Sequence, residues 1–225
     1  KRLQNVADRA NEDLTNIKKR PFYNQPVNPK TALAYFLISC SGPAFIYFIY
    51  FYITSAFKNV FNYNAHQILV HNLFLITFQL VVLSILRTYL SNKIHPLKLL
   101  RFVWTITAIF ILFLPWLLNH VTCPWHLFLI QANMLVFLPG ELPGIPIFFK
   151  NFPVFKRFSY TSFLYALARA FIYFITSFGL SYLINYFGYW GLLILMVPVL
   201  IGYCYGLKHF INLEKAAGRY PKLTT

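Results

Sequence analysis

Six blocks of the chain are apolar for long enough to cross a bilayer, and nothing else in the sequence restricts its fold so strongly. A spanning helix needs roughly 20 predominantly apolar residues. The segments Thr31–Thr54, Gln67–Tyr89, Leu99–Leu118, Pro124–Phe149, Tyr160–Leu183 and Tyr189–Phe210 all meet that length. Composition agrees: 58% of the 225 residues are hydrophobic and 11% are charged, against about 25% charged in an ordinary soluble domain. Mean hydropathy is +0.56. The pattern predicts an all-α membrane protein with six transmembrane helices.

The basic residues sort the ends of those helices. Seven precede the first block: Lys1, Arg2, Arg9, Lys18, Lys19, Arg20 and Lys30. Arg87, Lys93, Lys98 and Arg101 stand between the second and third blocks, Lys150, Lys156 and Arg157 between the fourth and fifth, and Lys208, Lys215, Arg219 and Lys222 at the end. The intervening connections hold only Lys58. Short loops rich in Lys and Arg face the cytoplasm, so both termini are expected there, in a multi-pass protein of the cell (inner) membrane. This also explains the net charge of +15. Nucleic-acid binding would need basic residues interleaved along one solvated face, so no nucleic-acid partner is expected, and the lipid bilayer is.

Residues 1–30 are polar and read as a cytoplasmic tail, with "RLQNVADRANEDL" as a short helix and Pro21–Pro29 as a linker. They lack the basic stretch and short apolar core of a signal peptide. Residues 31–210 form the transmembrane unit and 211–225 a second cytoplasmic tail. Cys40, Cys123 and Cys204 are far apart in or beside apolar runs, without ligand spacing, so no metal site and no disulfide framework is expected. HExxH, GxSxG, Walker and GxGxxG patterns are missing, which speaks against an enzyme and against cofactor or nucleotide use.

Two charges inside the apolar blocks carry the functional argument. Arg169 lies about nine residues into the fifth block, roughly 14 Å along a helix. An arginine at that depth costs about 2.5–3.5 kcal/mol and is expected to face protein or a wet cavity. Ser162, Tyr165, Tyr173 and Thr176 recur around it at helical spacing as one polar stripe. Glu141 is the acidic residue of the spans, in "FLPGELPGIPIFF". Prolines and glycines there break the helix, and such breaks persist in membranes where protein or water re-satisfies the backbone. Asn133 lies two turns earlier on the same face, and Glu141 and Arg169 reach similar depths, so a salt bridge between them is expected. In the first block Ser39, Pro43, Tyr47, Tyr50 and Thr54 form a hydroxyl-bearing face, with a kink expected at Pro43. His66, His71 and His126 fall near outer helix ends, where wetting is expected, and Gln79 and Gln131 read as helix–helix hydrogen-bonders.

The stretch "NFPVFKRFSYTSFLYALARAF", with Phe152-Pro153, Arg157, Ser159, Ser162, Tyr165, Arg169 and Ala170, resembles the region between the tenth and eleventh helices of major facilitator superfamily transporters. The metabolite:proton symporter group, proline/betaine transporter-like, is the nearest in pattern. "YLSNKIHPLKLLRF" resembles that group's loop between the eighth and ninth helices, and "YWGLLILMVPVLIGYCYGLKHFINLEK" its last helix. Asn92 stands where the pattern has Asp, His95-Pro96 where it has Gly-Arg, and Lys150-Asn151 where a Glu precedes Phe-Pro.

The resemblance implies the C-terminal six-helix half of a secondary transporter for a small osmolyte or organic acid. It is expected to be ion-coupled, and inactive without an N-terminal six-helix half as partner. Arg169, Tyr165, Asn133, Tyr47 and Tyr50 would contact the small-molecule substrate. Glu141, Arg157, Asn92 and Lys93 would serve ion coupling or gating. The competing reading is a non-transporting membrane scaffold, or a decayed transporter remnant, whose polar residues only hold helices together.

Overall fold

Chain breakers and caps set the helix ends. In the computed structural model, which describes residues 25–220, Asn28 Oδ1 accepts from Lys30 N at 3.0 Å and Pro29 opens the first helix, α1 (Pro29–Phe61). Proline suits that position because its missing N–H would be unpaired there anyway. Asn62, at φ 54, closes α1 in the left-handed region, and Asn64 and Gln67 cap α2 (Ala65–Val82) reciprocally at 2.9 and 3.0 Å. α3 (Thr88–Lys93) follows a π-helical turn, Leu83–Arg87. α4 (Pro96–Asn119) and α5 (Pro124–Val136) both open on proline. α6 (Ile145–Lys150), α7 (Arg157–Phe187) and α8 (Gly191–Ala216) complete the order. Among the described residues all regular structure is helical.

Four apolar helical runs are long enough to cross a membrane: Pro29–Phe61, Ala65–Ile85, Pro96–Asn119 and Arg157–Ala216. The last is two helices, divided by the 3-10 turn Gly188–Trp190, where Gly188 takes φ 59. α7 and α8 then fold back on each other: a Cβ at Gly191 would meet Leu183 O at 2.5 Å, and one at Gly179 would meet Leu195 at 3.9 Å. The protein is therefore all-α, with several long apolar helices suited to a bilayer. Its outer surface agrees, since Leu69, Phe74 and Leu80 of α2 and Phe158, Phe174 and Phe178 of α7 are exposed, a patch that water would not support.

α1 is central. α8 packs antiparallel to it through Gly202 and Gly206, the latter so close that a Cβ would sit 2.5 Å from Ala34 O. Small residues allow such approach where lipid and side chains are equally apolar. One core cluster gathers Phe45, Phe48, Ile53, Ile111, Met134 and Met196; the other, nearer the basic end, gathers Tyr35, Ile38, Leu100, Phe148, Tyr203 and Phe210.

The fourth expected span, Pro124–Phe149, is not one helix. α5 stops at Val136, and Phe137–Gly144 is non-helical before α6 begins. Pro139 and Pro143 cannot donate to the helical ladder. Side chains from three other helices serve the freed carbonyls. Thr107 Oγ1 of α4 donates to Phe137 O, Ser41 Oγ of α1 to Pro139 O, and Tyr203 Oη of α8 to Gly140 O at 2.9 Å. The broken segment still runs antiparallel to α4 along its length: Ile130 and Asn133 lie beside Phe110 and Leu117, Phe137 beside Thr107, and Gly144 against Leu100.

Other boundaries also shift. α1 continues past Thr54 to Phe61 and runs through Pro43; its departure from α geometry is a π-helical turn at Phe48–Tyr52. α8 extends past Phe210 to Ala216, into the expected tail. The short helix expected in "RLQNVADRANEDL" lies outside the described residues.

Candidate functional site

The broken segment turns Glu141 toward α1. Glu141 Oε2 accepts a hydrogen bond from Tyr35 Oη at 3.1 Å. Around this carboxylate lies a cavity of about 280 Å³, lined among others by Ser39, Pro43, Gln79, Glu141, Tyr165 and Arg169. Here meet α1, α2 with the π-helical turn that follows it, the break, the first residue of α6 and α7.

Arg169 is about 18 Å along α7 from its start at Arg157. Its guanidinium lies over the Tyr165 ring, 4.7 Å from the centroid, a cation–π contact that partly compensates lost hydration. The expected Glu141–Arg169 salt bridge is not formed. Among the described residues the ion pair is Lys150–Glu214, at 2.7 Å. Tyr35 occupies Glu141 instead, and stacking on Tyr165 directs the guanidinium along its own helix, although the two charges act on each other across the cavity. Arg169 Nε is buried without a hydrogen-bond partner, whereas the Ser39 hydroxyl sits against the Glu141 carboxylate and Tyr35. Buried polar atoms are nearly always paired, so an unpaired guanidinium N–H on this cavity points to an absent acceptor.

The other expected site residues are dispersed. Tyr47 lines a separate cavity of about 380 Å³, toward the far ends of α1 and α7, with Asn185 and Tyr189. Tyr47 shares the face of Ser39 and Pro43 but lies two turns from Ser39, too far along the helix to reach Glu141. Tyr50 donates to Gln79 Oε1, so it touches the cavity only through that glutamine. Asn133 lines a third cavity, of about 390 Å³, with His120 and His126, because its side of α5 faces α4 rather than α1. Tyr165 remains beside Arg169.

Of the expected gating residues, Glu141 is in the cavity. Arg157 Nη2 donates to Lys150 O and Phe152 O, both at 3.4 Å, fastening the turn between α6 and α7. Lys93 Nζ bonds Tyr89 Oη one turn back and lies over its ring. The side chain of Asn92 is outside the described residues. Neither Arg157 nor Lys93 joins the cavity.

Tyr35 was not singled out from sequence, yet it stands one helical turn before Ser39, so the hydroxyl stripe of the first block begins there. Two further polar links were also missed. Glu214, 2% exposed, pairs with Lys150 and ties the end of α8 to that of α6. His71, expected to be wetted, is half-buried; its Nε2 lies 2.7 Å from Gln131 Oε1, and Gln131 Nε2 donates to Ile49 O at 2.7 Å. Ile49 belongs to the π-helical turn, where the usual helical partner of its carbonyl is displaced.

Comparison with protein-family models, with curated proteins and with solved structures finds no match for this chain.

Proposed function

We propose that the chain is one six-crossing half of a secondary active transporter, major-facilitator-like in plan, and that the Ser39–Glu141–Arg169 cavity forms one wall of its solute path. In this reading the crossings are α1, α2 with α3, α4, the broken pair α5–α6, α7 and α8. The segment from Pro124 to Phe152 counts as a crossing because it follows α4, which at 24 residues is about 36 Å long. Both termini lie on the basic, cytoplasmic side of the inner membrane. A second six-helix bundle completes the path.

The observation that carries the reading is a buried donor, Arg169 Nε, left without an acceptor on the same cavity as a carboxylate. A small solute bearing a carboxylate, an organic acid or a zwitterionic osmolyte, supplies the missing acceptor. A cationic group on the same solute would meet Glu141. Broken helices at mid-depth are where secondary transporters place substrate and coupling-ion sites. Glu141 is the carboxylate available to exchange a proton or sodium ion, and Tyr35 holds it in place.

The scaffold reading has one observation in its favour: many intramembrane polar groups are spent on holding helices. Thr107, Ser41 and Tyr203 serve the break, and Tyr50–Gln79 and Gln131–Ile49 join neighbouring helices. What favours transport over glue is the place of the unpaired donor: Arg169 Nε lines a cavity with a carboxylate, whereas Arg157 Nε, also unpaired, belongs to a side chain that fastens the turn between α6 and α7.

Ligand-dependent stabilisation tests the assignment, because a ligand that binds only the folded state raises its melting temperature. Purified chain is screened against small carboxylates and zwitterions at millimolar concentration. A stabilising solute whose effect disappears in Arg169→Gln and survives in Asn133→Ala supports the cavity. No stabilisation by any carboxylate, or stabilisation unchanged in a helical Arg169→Gln variant, refutes it.

A further inference from the structure

Lys58 breaks the charge pattern of the chain: it is the one Lys or Arg in the three connections that otherwise carry none. It lies on the last turns of α1, exposed, and no carboxylate pairs with it among the described residues. Beside it opens a groove of about 670 Å³. Lys58 and Asn64 stand at one end, and Ile68, Leu69, Leu73 and Ile76 line the wall along α2. Leu69, Leu73 and Ile76 are 66%, 60% and 49% exposed, so no other part of the bundle covers them.

The dimensions identify the occupant. From Asn64 to Ile76 the groove follows twelve residues of helix, about 18 Å. One leaflet of the hydrocarbon core is about 15 Å deep. The polar end is thus at headgroup level, on the side away from the basic clusters, and the apolar wall reaches the bilayer midplane. A free anion would use Lys58 and leave the wall bare. An apolar partner helix would cover the wall and bury Lys58 without a counter-charge, which is costly. A molecule with an anionic head and a chain of one leaflet's length satisfies both ends.

We propose that this groove holds an anionic phospholipid of the outer leaflet, its phosphate on Lys58 and an acyl chain along Ile68, Leu69, Leu73 and Ile76. The proposal rests on the bilayer-crossing orientation and is independent of transport. One basic residue near the surface favours an anionic lipid by about 1 kcal/mol, roughly a fivefold preference.

The test uses full-length chain in phosphatidylcholine vesicles doped with photoactivatable phosphatidylglycerol or phosphatidylcholine carrying a diazirine in the acyl chain. Crosslinks are mapped by mass spectrometry. Over residues 65–76 the phosphatidylglycerol probe is expected to label about fivefold more than the phosphatidylcholine probe. Lys58→Glu is expected to abolish that ratio and Lys58→Arg to keep it, while labelling near the basic end stays unchanged in both and reports that the variants are folded. Equal labelling by the two probes in the unaltered chain, or an undiminished ratio in Lys58→Glu, overturns the proposal.

Discussion

Tyr35 donates its hydroxyl hydrogen to Glu141 across 3.1 Å, and this bond joins the basic-end half of the first helix to the broken segment. Tyr35 is 1% exposed and its ring also contacts Phe148, Phe149 and Phe152, so the hydroxyl cannot swing away from the carboxylate without moving packed aromatics. The candidate site is held from this direction.

Removing that hydroxyl leaves the packing intact and the carboxylate with one donor fewer. Tyr35→Phe is expected to destabilise the protein by about 1.5–3 kcal/mol, the usual net worth of a hydrogen bond to a charged acceptor. In a Glu141→Leu background the same change should cost close to nothing. A double-mutant cycle of unfolding in mixed detergent measures the coupling.

Lys150 and Glu214 make a different kind of contact. Glu214 is 2% exposed, so Lys150→Met strands a buried carboxylate. Loss of one partner of a buried pair costs about 3 kcal/mol or more, whereas replacing both by apolar groups is near neutral. Lys150→Met is therefore expected to melt well below the parent, and Lys150→Met/Glu214→Met close to it. A double variant no more stable than the single one would remove the pair from the account.

Acid should weaken the same end of the bundle. His95, 4% exposed, caps α4 by accepting Leu97 N–H at Nδ1, 3.3 Å away. Burial pushes its pKa down, Lys150 adds to that, and Glu214 opposes it. With the folded-state pKa below the unfolded value of about 6.5, protonation favours the unfolded chain. Stability is expected to be unaffected by His95 above about pH 6.5 and to decline as pH falls from there through the depressed folded-state pKa. His95→Asn keeps a capping acceptor and does not titrate, so thermal melts from pH 8 to 5 should show a shallower decline in that variant.

Two glycines of the bundle should answer alanine differently. A Cβ at Gly206 would fall 2.5 Å from Ala34 O and 2.8 Å from Ile38 Cγ1, while one at Gly42 meets nothing within 4 Å. Gly206→Ala must push α8 from α1 and is expected to cost about 1–3 kcal/mol, as overpacking does. Gly42→Ala is expected to be neutral or mildly stabilising through helix propensity. Chemical-denaturation midpoints of the two variants check the contrast.

The long apolar helices, their caps and the glutamine contacts between helices could be read from residues close together in the chain. Asn64 with Gln67, Pro96 and Pro124 act within a single turn, and twenty apolar residues state their own preference for lipid. The prolines around Glu141 likewise announced a broken helix in the right place. Which groups would meet was not legible, because it depends on how far each helix is rotated and how deeply it is set. Tyr47 and Asn133 carry suitable chemistry and lie in other cavities, Tyr47 two turns along α1 from Ser39 and Asn133 on another face of its helix. Tyr35, an ordinary aromatic in an aromatic-rich chain, became the carboxylate's partner only when α1 packed against the break. The local free energy of a helix is nearly indifferent to such rotations and depths; tertiary contacts, here the close approach at Gly206 and the carbonyls of residues 137–140, select among them.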